Sequence, residues 1–182
     1  MPSTQIAHAA AGDTDTALVV NGTSQYVAAT TDAATFDIAN AISIEAWVYA
    51  TGSSCSGNIV GKATSYFLYC SSGILNYAMG GASSWSGVST GIKIPTNEWH
   101  HIALTRAAST ATAKIYFNGN LLYTGTADGA GSSALTNSNS PNLFNIGARN
   151  GGATFFAGSI DEVRLYNSEI SEAQIKLSLI HI

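Results

Sequence analysis

The stretch from Ala157 to Ile175, AGSIDEVRLYNSEISEAQI, constrains the fold more than any other part of the chain. It opens on a small residue and a glycine, runs as a strand with Ile160, Val163 and Leu165 apolar, and ends on a helix start. Ser171 stands at the N-cap position, and Glu172 falls in the first turn, where the helix dipole favours an anion. Asp161 and Glu162 interrupt the apolar strand. A charge in such a place needs a partner, a metal ion or solvent. Strand alternation sends one of the two carboxylates toward the interior or its rim and the other outward.

The rest of the chain reads as strands and turns. ISIEAWVYA (42–50) alternates Ile42, Ile44, Ala46 and Val48 with Ser43, Glu45, Trp47 and Tyr49, the period of two expected of a sheet. AKIYFNGNLLYTGTA (113–127) is a hairpin over Asn118-Gly119, the strongest short-range hairpin signal. LVVNG (18–22) and QYVAA (25–29) read as two short strands around an Asn-Gly-Thr-Ser turn. ILNYAMG (74–80), SWSGVSTG (84–91), WHHIALTR (99–106) and NLFNIGAR (142–149) add further strands. TDAATFDIANA (31–41) reads as a loop with a helical turn, IPTNEW (94–99) as a turn, and Asp128 to Pro141 as a long exposed loop. Short strands with turn signals every 8–12 residues or so predict an all-β, two-sheet antiparallel sandwich or jelly roll, here with a short C-terminal helix. No internal repeat and no linker divides the chain.

Composition narrows the function classes. The 182 residues suffice for one domain with its own core. Only 10% are charged, against roughly 25% in ordinary soluble domains. The net charge is −4 with seven Lys plus Arg and no basic cluster, which speaks against a nucleic-acid partner. A neutral ligand such as a sugar fits this chain better than a polyanion. No apolar run reaches the ~18 residues of a membrane span, so no membrane insertion is expected. The first residues, MPSTQIAHAAAGDTDTA, lack the charged and apolar regions of a signal peptide. Residues 1–16 are read as an N-terminal extension or linker, the chain as part of a longer protein.

The two cysteines flank a hairpin. NIVGKATSYFLYC reads as two strands around a turn at Lys62–Ser65, and pairing Ile59–Gly61 with Tyr66–Leu68 brings Cys55 close to Cys70. A disulfide there stabilises by roughly 3 kcal/mol and requires an oxidising compartment. Two buried free thiols are the other reading.

In order along the chain, LVVNGTSQYVA, ISIEAWVYA, NIVGKATSYFLY, NEWHHIALTR, AKIYFNGNLL, FNIGAR and FAGSIDEVRLYNSEISEAQI form an ordered set. With it the chain resembles the laminin-G-like branch of the concanavalin A-like lectin/glucanase superfamily, close to the pentraxin pattern, from residue 17 to about 176. The resemblance implies one jelly-roll domain over residues 17–178, with one concave and one convex sheet. It also implies carbohydrate binding, adhesion or scaffolding in secreted or cell-surface proteins. In relatives an acid at the position of Asp161 helps hold one structural calcium together with backbone carbonyls and an N-terminal side chain. Asn21 is the candidate for that side chain, because first and last strands are neighbours in this fold. A salt bridge from the Asp161–Glu162 pair to Arg164, Arg106 or Lys62 is the alternative. Asp128 is the only acidic residue between Glu98 and Asp161, so a paired-calcium ligand site of pentraxin type is not expected. The last six residues, LSLIHI (177–182), make the helix end apolar on every side. They read either as a non-native tail or as a helix end packed on the sandwich.

Catalysis has little support. Glucanase relatives carry paired carboxylates at a spacing of two on one strand. Here Glu45 is followed at that spacing by Trp47, and no strand holds D-x-E or E-x-E. His100 and His101 point to opposite faces of a strand and form no metal-binding spacing, and Trp47 and Trp99 are assigned to the core. Tyr66, Tyr69, Tyr77 and Trp85 lie on consecutive short strands and form a candidate stacking surface for sugar rings, with Asn76, Asn145 and Arg149 as hydrogen-bond partners. The alternative is that these aromatics fill the core. The expected function is a non-catalytic carbohydrate-binding or adhesion module of a secreted or cell-surface protein, with a glycan or extracellular protein as partner. It would belong to a larger multidomain protein or an assembly. A structural, self-assembling extracellular module is the alternative, and a glycoside hydrolase or lyase the weakest reading.

Overall fold

The computed structural model describes residues 16–31, 33–79, 87–126, 142–149 and 152–180. Among these, twelve strands form two six-stranded sheets. The first sheet contains β1 (Leu18–Asn21), β3 (Ile42–Ala50), β8 (Trp99–Arg106), β9 (Thr112–Phe117), β10 (Asn120–Thr126) and β12 (Ala157–Tyr166). Its order is β1-β12-β3-β8-β9-β10. The second contains β2 (Val27–Ala28), β4 (Gly57–Lys62), β5 (Tyr66–Ser71), β6 (Ile74–Met79), β7 (Gly87–Lys93) and β11 (Phe144–Ile146), in the order β2-β11-β4-β5-β6-β7. Every pairing between these strands is antiparallel.

The alternation in β3 builds the core. Ile42, Ile44, Ala46, Val48 and Ala50 all point between the sheets and are fully buried. They share one cluster with Ile59, Leu68, Leu75 and Met79 of the second sheet. Each buried Leu, Ile or Val side chain contributes about 1.5–3 kcal/mol relative to exposure. The β9–β10 hairpin turns at Asn118 and Gly119, with φ of 49° and 75°. Two consecutive left-handed residues are what a two-residue turn of this twist demands. A Cβ on Gly119 would lie 2.5 Å from Leu179 Cδ1, so the residue following the helix packs directly over the turn.

The first two strands part company. β1 pairs with β12, Leu18 opposite Ile160, while β2 pairs with β11 in the other sheet, Val27 opposite Ile146. Asn21 Oδ1 accepts from the backbone N–H groups of Thr23, Ser24 and Gln25 at 3.0, 2.9 and 3.1 Å. That side-chain cap turns the chain from one sheet to the other instead of closing a hairpin. The strand assigned to 84–91 is β7, running from Gly87 to Lys93. The loop 128–141 and most of the N-terminal extension lie outside the described residues.

The chain closes with α1 (Glu172–Ser178). Ser171 and Gln174 form a reciprocal capping box, and Ile170 and Ile175 pack on Ala103 and Tyr116 on the outer face of the first sheet. Ser43 Oγ holds the approach, donating to Ser168 O at 2.8 Å and accepting from Ile170 N at 3.0 Å. Among the described residues α1 is the only α-helix, so none covers the outer face of the second sheet.

Candidate functional site

Alternation divides the predicted aromatic set in two. On β5 the side chains of Tyr66, Leu68 and Cys70 point inward, and Phe67, Tyr69 and Ser71 point outward. On β6, Leu75, Tyr77 and Met79 point inward and Asn76 outward. Tyr66 and Tyr77 are therefore core residues, fully buried. The Tyr66 hydroxyl donates to Phe36 O at 2.9 Å, and burial, aided by Asp37, pushes its pKa far above the ordinary phenol value. The Tyr77 hydroxyl donates to Thr126 O at 2.7 Å, and its ring meets Tyr123 edge-on at 5.9 Å. Neither presents a face to a ligand. Trp85 lies outside the described residues.

The remaining predicted residues meet on the outer face of the second sheet. Two cross-strand rows run over it. One is Asn58–Tyr69–Asn76–Ser89, the other Asn145–Gly61–Phe67–Ala78–Gly87. Tyr69 leans across β6, for a Cβ on Gly87 would sit 2.0 Å from its hydroxyl oxygen. The Phe67 and Tyr69 rings are 5.2 Å apart, and the Arg149 guanidinium lies 5.6 Å from the Phe67 centroid. Paired backbone hydrogen bonds between Arg149 and Ala153, both 2.7 Å, close the turn that carries this arginine. Burial raises the Tyr69 pKa, with Arg149 pulling it the other way.

The amides form the floor of this face. Asn76 Nδ2 donates to Ile74 O at 2.6 Å, and Asn145 Nδ2 donates to Leu143 O at 2.7 Å. Asn145 is 1% exposed, and its Oδ1 has no hydrogen-bond partner among the described residues. Tyr69 and Arg149 are half-buried and stand at the rim. Phe67 and Asn58, not among the predicted ligand residues, belong to the same face. Phe67 follows from Tyr69 by a step of two; Asn58 joins only through the β4–β5 register.

The two candidate calcium ligands do not make one site. Asn21 stands opposite Ala157, four residues from Asp161, which is about 13 Å along the strand. Asn21 Oδ1 is committed to its three backbone donors, and Asp161 Oδ1 accepts from Glu162 N at 2.8 Å. Calcium takes six to eight oxygens at about 2.3–2.6 Å. These two side chains cannot contribute to one such shell. The simple alternation predicted for the two carboxylates also fails. The β12 register slips between Asp161 and Arg164, with Glu162 in the left-handed region at φ 50°, and both acids end half-buried. Glu162 pairs with Arg164, while Lys62 is taken by Asp37. Among the described residues no three His, Cys, Asp or Glu side chains gather in a metal-binding group.

Glu45 lies on the outer face of the first sheet, fully buried beneath α1. The hydroxyls of Tyr166 and Ser178 donate to its Oε2 at 3.2 and 3.1 Å, and His101 Nε2 lies 3.8 Å from Oε1. Burial raises its pKa above the ordinary carboxylate value. These neighbours include no second carboxylate to complete an acid/base pair. His101 packs edge-on against Trp47, whereas His100 pairs opposite Val48 and stacks on Phe117, so the two histidines do occupy opposite faces.

A family model described as the concanavalin A-like lectin/glucanases superfamily matches residues 21–176. No curated protein matches the chain significantly. Among solved structures, the chain is similar to the CBM40 module of Ruminococcus gnavus IT-sialidase bound to α2,3-sialyllactose. The TM-score is 0.72 at 14% identity, covering 91% of this chain and 96% of that one. It is also similar to domain 4 of AbnA, a GH43 extracellular arabinanase from Geobacillus stearothermophilus, in complex with arabinotriose. Here the TM-score is 0.64 at 23% identity, with coverage of 92% and 78%. A third similar structure is the native heptameric SAP-like pentraxin from Limulus polyphemus, with TM-score 0.56, 20% identity and coverage of 78% and 70%. At these identities the likeness speaks for the fold.

Proposed function

The chain belongs to the concanavalin A-like lectin/glucanase superfamily, and from that premise we propose that it is a non-catalytic carbohydrate-binding module. One observation carries the reading: the half-buried Tyr69 ring and the Arg149 guanidinium stand together at the rim of one sheet face, with Asn76 in the row beside Tyr69. The half-buried Tyr69 ring offers an apolar surface for a pyranose face. Arg149, fixed over Phe67, supplies further donors at the rim. The sialidase module bound to sialyllactose and the arabinanase domain bound to arabinotriose support a saccharide as the ligand class.

The non-catalytic part of the reading rests on Glu45. The carboxylate of the central strand is sealed beneath α1 and bonded to hydroxyls, out of reach of any substrate on the second sheet. The setting proposed is extracellular or at the cell surface, where the Cys55–Cys70 disulfide persists. There the module serves a larger protein or an assembly, with a glycan or extracellular protein as partner. A glycan array followed by affinity electrophoresis tests this. We expect retention by at least one polysaccharide, reduced about ten-fold, or 1.4 kcal/mol, by Tyr69→Ala or Arg149→Ala. An array blank for every glycan, or binding indifferent to both variants, overturns it.

A further inference from the structure

We propose a second, separate saccharide subsite: a notch at one end of the sandwich that takes a sugar carrying a carboxylate, with Lys93 as its counter-charge. The notch has a volume of about 410 Å³, within the range of small-ligand sites. It lies where three segments meet: the loop before β4, the β5–β6 turn and the residues that follow β7. Its polar lining residues are Ser53, Ser54, Ser72, Thr96 and Lys93; Ile94 and Pro95 supply apolar surface, and among the described residues no carboxylate lines it.

Two observations set it apart from an ordinary surface dent. The first is rigidity. The Cys55–Cys70 disulfide ties the loop to β5, Gly73 N donates to Cys55 O at 2.9 Å, and Ile94 N donates to Gly73 O at 3.0 Å. The three segments are thus stitched together before any ligand arrives, which lowers the ordering cost of binding. The second is charge. Among the described residues Lys62, Lys114, Arg164 and Lys176 each pair with a carboxylate, Arg106 donates to Asn40 O, and Arg149 lies over Phe67. Lys93 has no such partner among the described residues, and it lines a recess whose other polar lining residues carry hydroxyls.

The chemistry selects the ligand class. One ammonium forms a charge-assisted bond with one carboxylate. The serine and threonine hydroxyls donate to and accept from sugar hydroxyls, which are equally amphoteric. A single cation on a chain of net charge −4 suits a singly charged sugar rather than a polyanion. The subsite does not depend on the outer face of the second sheet.

A nuclear magnetic resonance titration of the labelled protein with D-glucuronate, D-glucose and inorganic phosphate tests the proposal. Saturable shifts are expected with glucuronate at the amides of Ser54, Ser72, Gly73 and Lys93. Lys93→Ala should weaken them about ten-fold, Lys93→Arg should retain them, and Tyr69→Ala should leave them unchanged. Raising the salt concentration should weaken them as well. The proposal is overturned if glucose or phosphate gives the same shifts with the same affinity, if Lys93→Ala has no effect, or if glucuronate produces no saturable shift at these residues.

Discussion

Tyr66 and Tyr69 stand three positions apart on one strand and lead opposite lives. Tyr66 is a core residue whose hydroxyl satisfies the Phe36 carbonyl at 2.9 Å. Tyr66→Phe keeps the ring and strands that carbonyl, so it should lower stability by about 1 kcal/mol in urea unfolding and leave glycan retention unchanged. Equal loss of retention would place Tyr66 in the binding site after all. The strands of this candidate face were legible in the sequence: Tyr69, Asn76 and Asn145 share it, with Arg149 over Phe67. Parity, applied to YFLYC, separates Tyr66 from Tyr69 and brings in Phe67; counting aromatics without parity does not. Asn58 was beyond reach, because its place opposite Tyr69 depends on a register that shifts between Asn58 and Val60. Asn21 and Asp161 fail as partners for the same kind of reason. Neighbouring strands bring residues together only in register, and this register sets them four residues apart.

At the level of elements, local signals were readable and sheet membership was not. Asn118-Gly119 specifies its hairpin by backbone sterics alone. The Asn21 turn carries similar residues, yet its side chain caps the backbone and sends β1 and β2 into different sheets. Only long-range packing decides between those outcomes. The β4–β5 hairpin is the element with a covalent tie, Cys55 to Cys70 across a separation of 15 residues with Cα atoms 5.5 Å apart. Closing a loop of that length removes roughly 3 kcal/mol of freedom from the unfolded chain. Reduction, or the double replacement Cys55→Ala with Cys70→Ala, should lower the unfolding free energy by about that amount. The fold should survive, because Cys55 and Cys70 are two members of a core that spans both sheets. A shift well under about 1 kcal/mol would mean that the hydrogen bonds around Gly73 already order this loop without the bridge.

For the whole molecule, the buried titratable groups set the response to pH, and two of them pull in opposite directions. Burial raises the pKa of Glu45 above its ordinary 4.5, outweighing the hydrogen bonds from Ser178 and Tyr166 that lower it. The folded protein then binds that proton more tightly than the unfolded chain. Its stabilising contribution is complete below about pH 4.5 and is lost as the pH rises through the raised value. Burial lowers the pKa of His100 below its ordinary 6.5, against the pull of Glu98. Its contribution is complete above about pH 6.5 and is lost as the pH falls through the lowered value. Glu45→Gln keeps an acceptor for Tyr166 and Ser178 and abolishes the titration. Its melting temperature relative to the native protein should therefore climb as the pH goes from about 4 to about 7. A neutral replacement, His100→Asn, should show the reverse, its relative stability improving toward acid. The two groups lie apart, Glu45 under α1 on the outer face beside His101 and His100 on Phe117 opposite Val48. A flat difference for Glu45→Gln would mean that the hydroxyls and Arg164 hold the buried carboxylate as comfortably as water does, and the seal beneath the helix would then be a polar anchor without a pH response.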